Sequence, residues 1–222
     1  MHWSHTSLKD FEGCPRRYHE VRVLKKYPRK DTPATIYGNA VHKAIELYIT
    51  ESKPFPVAYQ DCQALADAML SKPGRKLAEH QMAVNERLEP CDWFAPDAWA
   101  RGIADILVVD DDNLTAWVGD WKTGSNKYPD RDQLVLMSLL VFAHFPHIRK
   151  VMSALIFTLK KDLVKMKMHR EEADKHWQLY RERTACILAC ESSNVWNPRQ
   201  SPLCGWCPVD SCEHHPQHHR SR

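Results

Sequence analysis

The sequence lacks any run long and apolar enough to cross a bilayer. Its longest nearly apolar stretch, Leu134 to Phe145, is too short and is interrupted by Ser138 and His144. The start, Met1-His2-Trp3-Ser4-His5, has no basic region followed by an apolar one. No signal peptide is therefore expected, and the expected location is the cytoplasm. A strong charge of either sign is also missing: 31 Lys and Arg against 28 Asp and Glu leave a net charge of +3. That balance permits nucleic-acid binding but does not argue for it, so any such surface has to be local. There is no GxxxxGK(S/T) loop, which excludes a nucleotide-driven motor of that kind in this chain. No internal repeat and no base-reading module is visible.

What is present suits a globular protein. The chain has 222 residues, 43% of them hydrophobic and 27% charged, enough for one good-sized domain with its own core. Ser7 is expected to cap a short helix through Glu12, and Cys14-Pro15 to open a second segment, Arg16 to Val23. Thr35 to Thr50 reads as a helix with Val41, Ile45, Tyr48 and Ile49 on one face, and Tyr59 to Met69 as another. Strands are expected at Glu79 to Leu88, Trp99 to Val109, Leu114 to Trp121 and Lys150 to Leu159, with Asp110-Asp111-Asp112-Asn113 as a solvated hairpin tip. Asp130 opens an apolar helix to about Ala143, and Glu171 to Glu191 is a long amphipathic helix. This order predicts an α/β protein, a mixed sheet with helices packed on it.

The chemistry concentrates in Arg101-Gly102-Ile103-Ala104-Asp105 and Gly119-Asp120-Trp121-Lys122-Thr123-Gly124. Asp105 sits in an apolar strand, where a carboxylate is costly unless something pairs with it or a metal binds it. Alternation puts Asp120 and Lys122 on one face and Trp121 on the other. If the two strands pair through the acidic hairpin, Asp105 approaches Asp120. Two carboxylates and an ammonium on one surface suit Mg²⁺ or Mn²⁺ and phosphodiester chemistry. The competing reading is a plain Asp–Lys ion pair at a strand end.

These segments resemble the GxxD and DxKTG motifs of RecB-like PD-(D/E)XK nucleases. Upstream, Gly38-Asn39-Ala40-Val41-His42 resembles that family's GxxxH motif, and Gln133 resembles the start of its QxxxY motif, with Met137 where the tyrosine belongs. The resemblance implies a restriction-endonuclease-like core over about 35–160 within a single domain, 1–213. It implies metal ligation by His42, Asp105, Asp120 and the main-chain carbonyl of Trp121, and a catalytic Lys122. Gln133 becomes a candidate DNA contact, although it also lies where a capping box with Asp130 would place it. Glu79 is a candidate supporting residue, and Glu46 is either an orienting partner of His42 or a solvated side chain.

Eight cysteines without a secretion signal do not suggest a disulfide framework. Cys62, Cys91, Cys186 and Cys190 read as packed or partly buried thiols. Cys204, Cys207 and Cys212 crowd into a Gly- and Pro-containing turn, and Cys14 is distant. Cys14-Pro15-Arg16-Arg17-Tyr18 with three late cysteines is similar to the iron–sulfur staple of AddB and of CRISPR-associated RecB-like nucleases. That likeness implies a 4Fe-4S cluster on Cys14, Cys204, Cys207 and Cys212, tying segments 7–24 and 195–213 together. Zinc on the four cysteines, or on three with His214 or His215, is the chemical alternative. The His-rich end, 214–222, reads as a flexible tail.

Arg16, Arg17, Lys25, Lys26, Arg29 and Lys30, and Lys160, Lys161, Lys165 and Lys167, are candidate phosphate contacts. Taken together, the expected protein is a divalent-metal-dependent DNA nuclease, an exonuclease in recombination, repair or phage DNA processing. DNA is the expected partner, with a recombination or repair protein as a further one. The alternative is a non-catalytic DNA-binding or assembly subunit with the same fold.

Overall fold

A computed structural model describes residues 2–28 and 30–218. Arg29 and the tail from His219 onward lie outside the described residues. The chain divides into two compact units, one made of residues 1–2 and 31–177, the other of 3–30 and 178–222. The core expected over 35–160 falls in the first unit, and the cysteine-bearing segments fall in the second.

In the second unit, β1 (Trp3–Ser4) leads into α1 (His5–Gly13), whose cap is Ser4. Ser7, the expected cap, is instead the third helical residue that completes the capping box with Ser4. Helix α2 (Pro15–Tyr18) follows with proline at its first turn, and a π-helical turn covers His19–Val23.

The first unit starts with α3 (Pro33–Glu51), which is capped by Thr32 in a box with Thr35. Helix α4 (Gln63–Leu70) follows a 3-10 stretch, Val57–Cys62. The strands are β2 (Arg75–Asn85), β3 (Pro90–Cys91), β4 (Ala98–Asp110), β5 (Thr115–Lys122), β6 (Lys150–Phe157) and β7 (Asp162–His169). They lie side by side in the order β3-β2-β4-β5-β6-β7. All neighbours are antiparallel except β5 and β6, which are parallel and joined by α5 (Arg131–His144). A parallel pair needs such a crossover, because a short hairpin cannot reverse the chain twice.

Successive residues of β6 show the two faces. Ile156 packs with Val41, Ala44 and Ile45 of α3 and Ala66 of α4, along with Ile106, Val108 and Trp121. Leu155 packs with Leu134 of α5 and with Phe157. The sheet is therefore mixed and covered by helices on both faces, as expected. Trp121 is 2% exposed and anchors its strand in the core.

Three local expectations need correction. The first long strand begins four residues earlier than expected and ends at Asn85. A whole strand, β7, lies where only a basic stretch was visible. Its lysines, Lys165 and Lys167, hide an alternation in which Val164 and Met166 pack on the core. The hairpin tip is not wholly solvated either. Asp110 is buried and accepts hydrogen bonds from the Asn113 N–H and its Nδ2 at 3.1 and 2.7 Å, an Asx-type closure of the turn.

Candidate active site

Ladder geometry brings the acidic residues together. Pairing of β4 with β5 ends at Ile106 and Gly119, so the next residues in register are Asp105 and Asp120. There the ladder gives way to a side-chain contact: the Trp121 N–H donates to Asp105 Oδ2 at 2.6 Å. On the other side of β4, Ala78 pairs with Ile106 and His80 with Ala104, which leaves Glu79 beside Asp105. Glu79 has φ +47°, the left-handed region that is unfavourable for a residue with a Cβ. A strained backbone position of this kind marks a residue that its surroundings hold in place.

Helix α3 supplies the histidine. A Cβ on Gly38 would lie 3.0 Å from Thr123 Oγ1, so glycine lets the helix come close to the end of β5. One turn later, His42 Nδ1 lies 3.5 Å from Asp105 Oδ2. The ligand atoms of His42, Glu79 and Asp105 all lie within 4.8 Å of one another. Sequence reasoning gave Glu79 only a supporting part. The signal that it joins His42 and Asp105 is its register opposite Asp105, which needs the correct start of β2.

Asp120 is 6% exposed. Lys122 Nζ is 2.6 Å from its Oδ2, an ion pair at a nearly buried carboxylate. Gln133, from the first turn of α5, donates from Nε2 to Asp120 Oδ1 at 2.5 Å and accepts from Lys122 Nζ at 2.9 Å. Asp130 does cap α5, but its carboxylate takes the Asp132 N–H. The capping-box explanation of Gln133 therefore fails, and its amide bridges the carboxylate and the ammonium. Met137, one turn on, is buried against Gly102, where a Cβ would lie 2.8 Å from its sulfur. Glu46 is taken by Lys43 at 2.8 Å and does not orient His42.

The electrostatics follow from this crowding. Burial, then the Asp105 charge, raises Asp120 to about 6, against the opposing pull of Lys122 and His42. Burial and Asp105 also raise Glu79. Burial works to lower His42, but the hydrogen bond and charge of Asp105, the Asp120 charge and the Trp121 backbone outweigh it, and the net shift is upward. The site thus concentrates negative charge that protons partly neutralise. The close set of His42, Glu79 and Asp105 and the predominance of oxygen donors fit a hard divalent cation.

The family model for the PD-(D/E)XK nuclease superfamily matches residues 2–212. The chain belongs to the PD-(D/E)XK nuclease superfamily. Among solved structures, a "Putative exonuclease" from Eubacterium rectale aligns with a TM-score of 0.55 at 12% identity, covering 94% of this chain and 88% of that one. The structure of SSO0001 aligns with a TM-score of 0.45 at 13% identity, covering 92% and 82%. At such identity the first likeness is one of fold, and it agrees with the restriction-endonuclease-like core of this PD-(D/E)XK nuclease. No curated protein sequence matches the chain.

The second unit holds the four candidate cluster cysteines. Cys14, Cys204, Cys207 and Cys212 all line one cavity of about 240 Å³. Cys14 Sγ accepts from the N–H groups of Arg17 and Arg199 at 3.5 and 3.4 Å, and Cys204 Sγ from that of Ser201 at 3.4 Å. Arg16 and Arg17, candidate phosphate contacts, are engaged within the unit. Arg16 binds Glu213 at 2.6 Å and the Ser211 carbonyl at 2.9 Å, while Arg17 meets Asp10 at 3.0 Å. Lys26 pairs with Glu20 at 2.8 Å. Trp196 stacks on His19, with ring centres 4.6 Å apart. Of the other cysteines, Cys62 is buried and Cys91 and Cys190 are half-buried as expected. Cys186 is exposed, because its place on α6 (Ala173–Ser193) turns it outward.

Proposed function

We propose that this nuclease hydrolyses DNA from its ends with a divalent cation, in recombination, repair or phage DNA processing. The observation that carries the reading is the convergence of His42, Glu79 and Asp105 beside buried Asp120 and the Lys122 ammonium. His42, Glu79, Asp105, Asp120 and the Trp121 carbonyl would hold Mg²⁺ or Mn²⁺. When bound, such an ion supplies Lewis acidity toward a phosphodiester oxygen and a lowered pKa for water.

The remaining work falls to the protein. Asp105 is fixed by the Trp121 N–H, so its carboxylate keeps one orientation. His42 must give up its proton to ligate through a ring nitrogen, and Asp120 must ionise. Lys122, held between Asp120 and Gln133, is the cation placed to meet negative charge growing on the phosphate. Gln133 positions both groups through its single amide. We read Lys122, Asp120 and Asp105 as catalytic, and Gln133 as a positioning residue next to the DNA.

The four cysteines would hold a 4Fe-4S cluster. Zinc on the same thiolates is the chemical alternative. A larger cluster suits the cavity, and N–H donors to Cys14 and Cys204 suit cluster thiolates. Cysteines from both ends of the chain make the cluster a crosslink that restricts the unfolded chain. No helix among the described residues is long and apolar enough to cross a membrane, and we assign the enzyme to the cytoplasm.

The test is incubation of the pure protein with labelled single- and double-stranded DNA, with and without Mg²⁺ or Mn²⁺. Shortening that needs the metal and disappears in an Asp120→Ala, Lys122→Ala double variant supports the reading. DNA binding without cleavage would instead identify a non-catalytic subunit. For the cluster, anaerobically purified protein is expected to show a broad absorbance near about 400 nm and to contain iron. Zinc in its place would overturn that assignment.

A further inference from the structure

The face of β4 that carries Asp105 continues past the metal ligands. Ala100 and Ala104 are buried, and Gly102 lies against Leu140 and Met137 of α5, so the even positions turn to the core. Ile103 and Arg101 face the other way, on the side of Asp105. Ile103 is 37% exposed. The Arg101 guanidinium lies 5.6 Å from the centre of the Trp93 ring, and its Nε is buried without a hydrogen-bond partner. Among the described residues no carboxylate reaches Arg101 within ion-pair distance, although Asp92 and Asp97 belong to the same loop. Phe94, next to Trp93, is 83% exposed.

A permanent cation stacked on an aromatic ring, with a second ring in solvent, is the equipment of a single-strand binding groove. There, bases stack on rings while cations meet phosphates. Arg101 precedes Asp105 by four residues, a strand distance of about 13 Å. A few unpaired nucleotides span that distance. Ile103 forms an apolar step between the two points.

We infer that Arg101, Trp93 and Phe94 form a nucleotide-binding subsite for unpaired nucleotides of the strand being cut, a few positions from the scissile bond. The inference rests on the nuclease reading above and assigns it a substrate class, single-stranded or frayed DNA ends. A structural role for the Arg101–Trp93 stack alone would leave Phe94 without a function.

The test compares a single-stranded oligonucleotide of about twelve nucleotides with a dinucleotide, too short to reach the subsite. Phe94→Ala is the cleaner variant, because an exposed ring contributes little to folding; Arg101→Ala is the second. In each, the ratio of kcat/KM for the long substrate over the short one is expected to fall about ten-fold through KM. Arg101→Ala should also reduce the salt dependence of oligonucleotide binding by about one phosphate contact, and Arg101→Lys should restore that slope. A length ratio within about two-fold of wild type in both variants overturns the subsite while leaving the nuclease reading intact. If the wild-type protein cleaves neither substrate with Mg²⁺ or Mn²⁺, the nuclease reading falls and this inference with it.

Discussion

The acidic cluster of the first unit and the cysteine-lined cavity of the second offer donors of opposite chemistry for a cation. In the first, hard oxygen donors sit on neighbouring strands and at one turn of a helix. Their positions are fixed by ladder register and by core packing of Trp121 and Val41. In the second, soft sulfur donors sit on turns and loops around an open cavity. The first site is preorganised by the fold, and its charges strain against one another without a metal. The second has donors but little rigid framework, so there the bound group would stabilise the structure. Ligand type follows use: carboxylates leave room for water and phosphate around a hard ion, while thiolates enclose a cluster.

The largest effect should separate the two sites cleanly. Asp120→Ala with Lys122→Ala is expected to reduce DNA cleavage by on the order of a thousand-fold or more, while the absorbance near about 400 nm persists. Kinetics and spectra on one preparation check both halves. Loss of that absorbance in the double variant would mean that the two sites are not independent.

Next in size, Cys207→Ser should abolish the cluster absorbance and lower Tm by roughly 10 °C, the scale of losing a long crosslink of about 4 kcal/mol. Thermal unfolding read by circular dichroism measures it. An unchanged Tm would show that the aromatic and ionic contacts of the second unit, such as Trp196 on His19 and Arg16 with Glu213, hold it without a cluster.

A smaller effect is tied to pH. Asp120 keeps its proton to about pH 6 in the folded, metal-free protein, whereas the unfolded chain releases it near about 3.9. Ionisation therefore costs the fold stability as pH rises between these values, and the cost is fully present above pH 6. A divalent cation removes that cost and needs the ionised form. The rise in Tm on adding Mn²⁺ is expected to be larger at pH 7.5 than at pH 5.5. The reverse order would contradict burial and Asp105 as the causes of the shift.

The smallest effects concern Gln133 and Gly38. Gln133→Ala should lower kcat about ten-fold by releasing Lys122 and Asp120, with Gln133→Glu recovering less than the native residue. Gly38→Ala should cost about 1 kcal/mol, because its Cβ would press on Thr123 Oγ1. Urea unfolding and steady-state rates measure them.

Much of this was legible in the sequence because it depends on neighbours in the chain. Alternation placed Asp120 and Lys122 together with Trp121 opposite, and the 3.6-residue period placed Val41 and Ile45 on the buried face of α3. The motif glycines gain a physical reason from the structure, since Gly38 and Gly102 are points of close helix approach. Strand β7 was missed because lysines at its outward positions read as a charge run, although the inward positions keep the strand period.

What the sequence determined by itself was the set of chemical groups, their order and their local geometry. Only the tertiary structure decided the contacts between distant segments. The register of β2 on β4 made Glu79 a companion of Asp105, and the approach of α5 to β5 took Gln133 from a cap to a bridge between Asp120 and Lys122. Packing of residues 3–30 with 178–222 brought Cys14 to the same cavity as Cys204, Cys207 and Cys212. Local propensity acts over a few residues, whereas register and packing are settled by burial of the whole core.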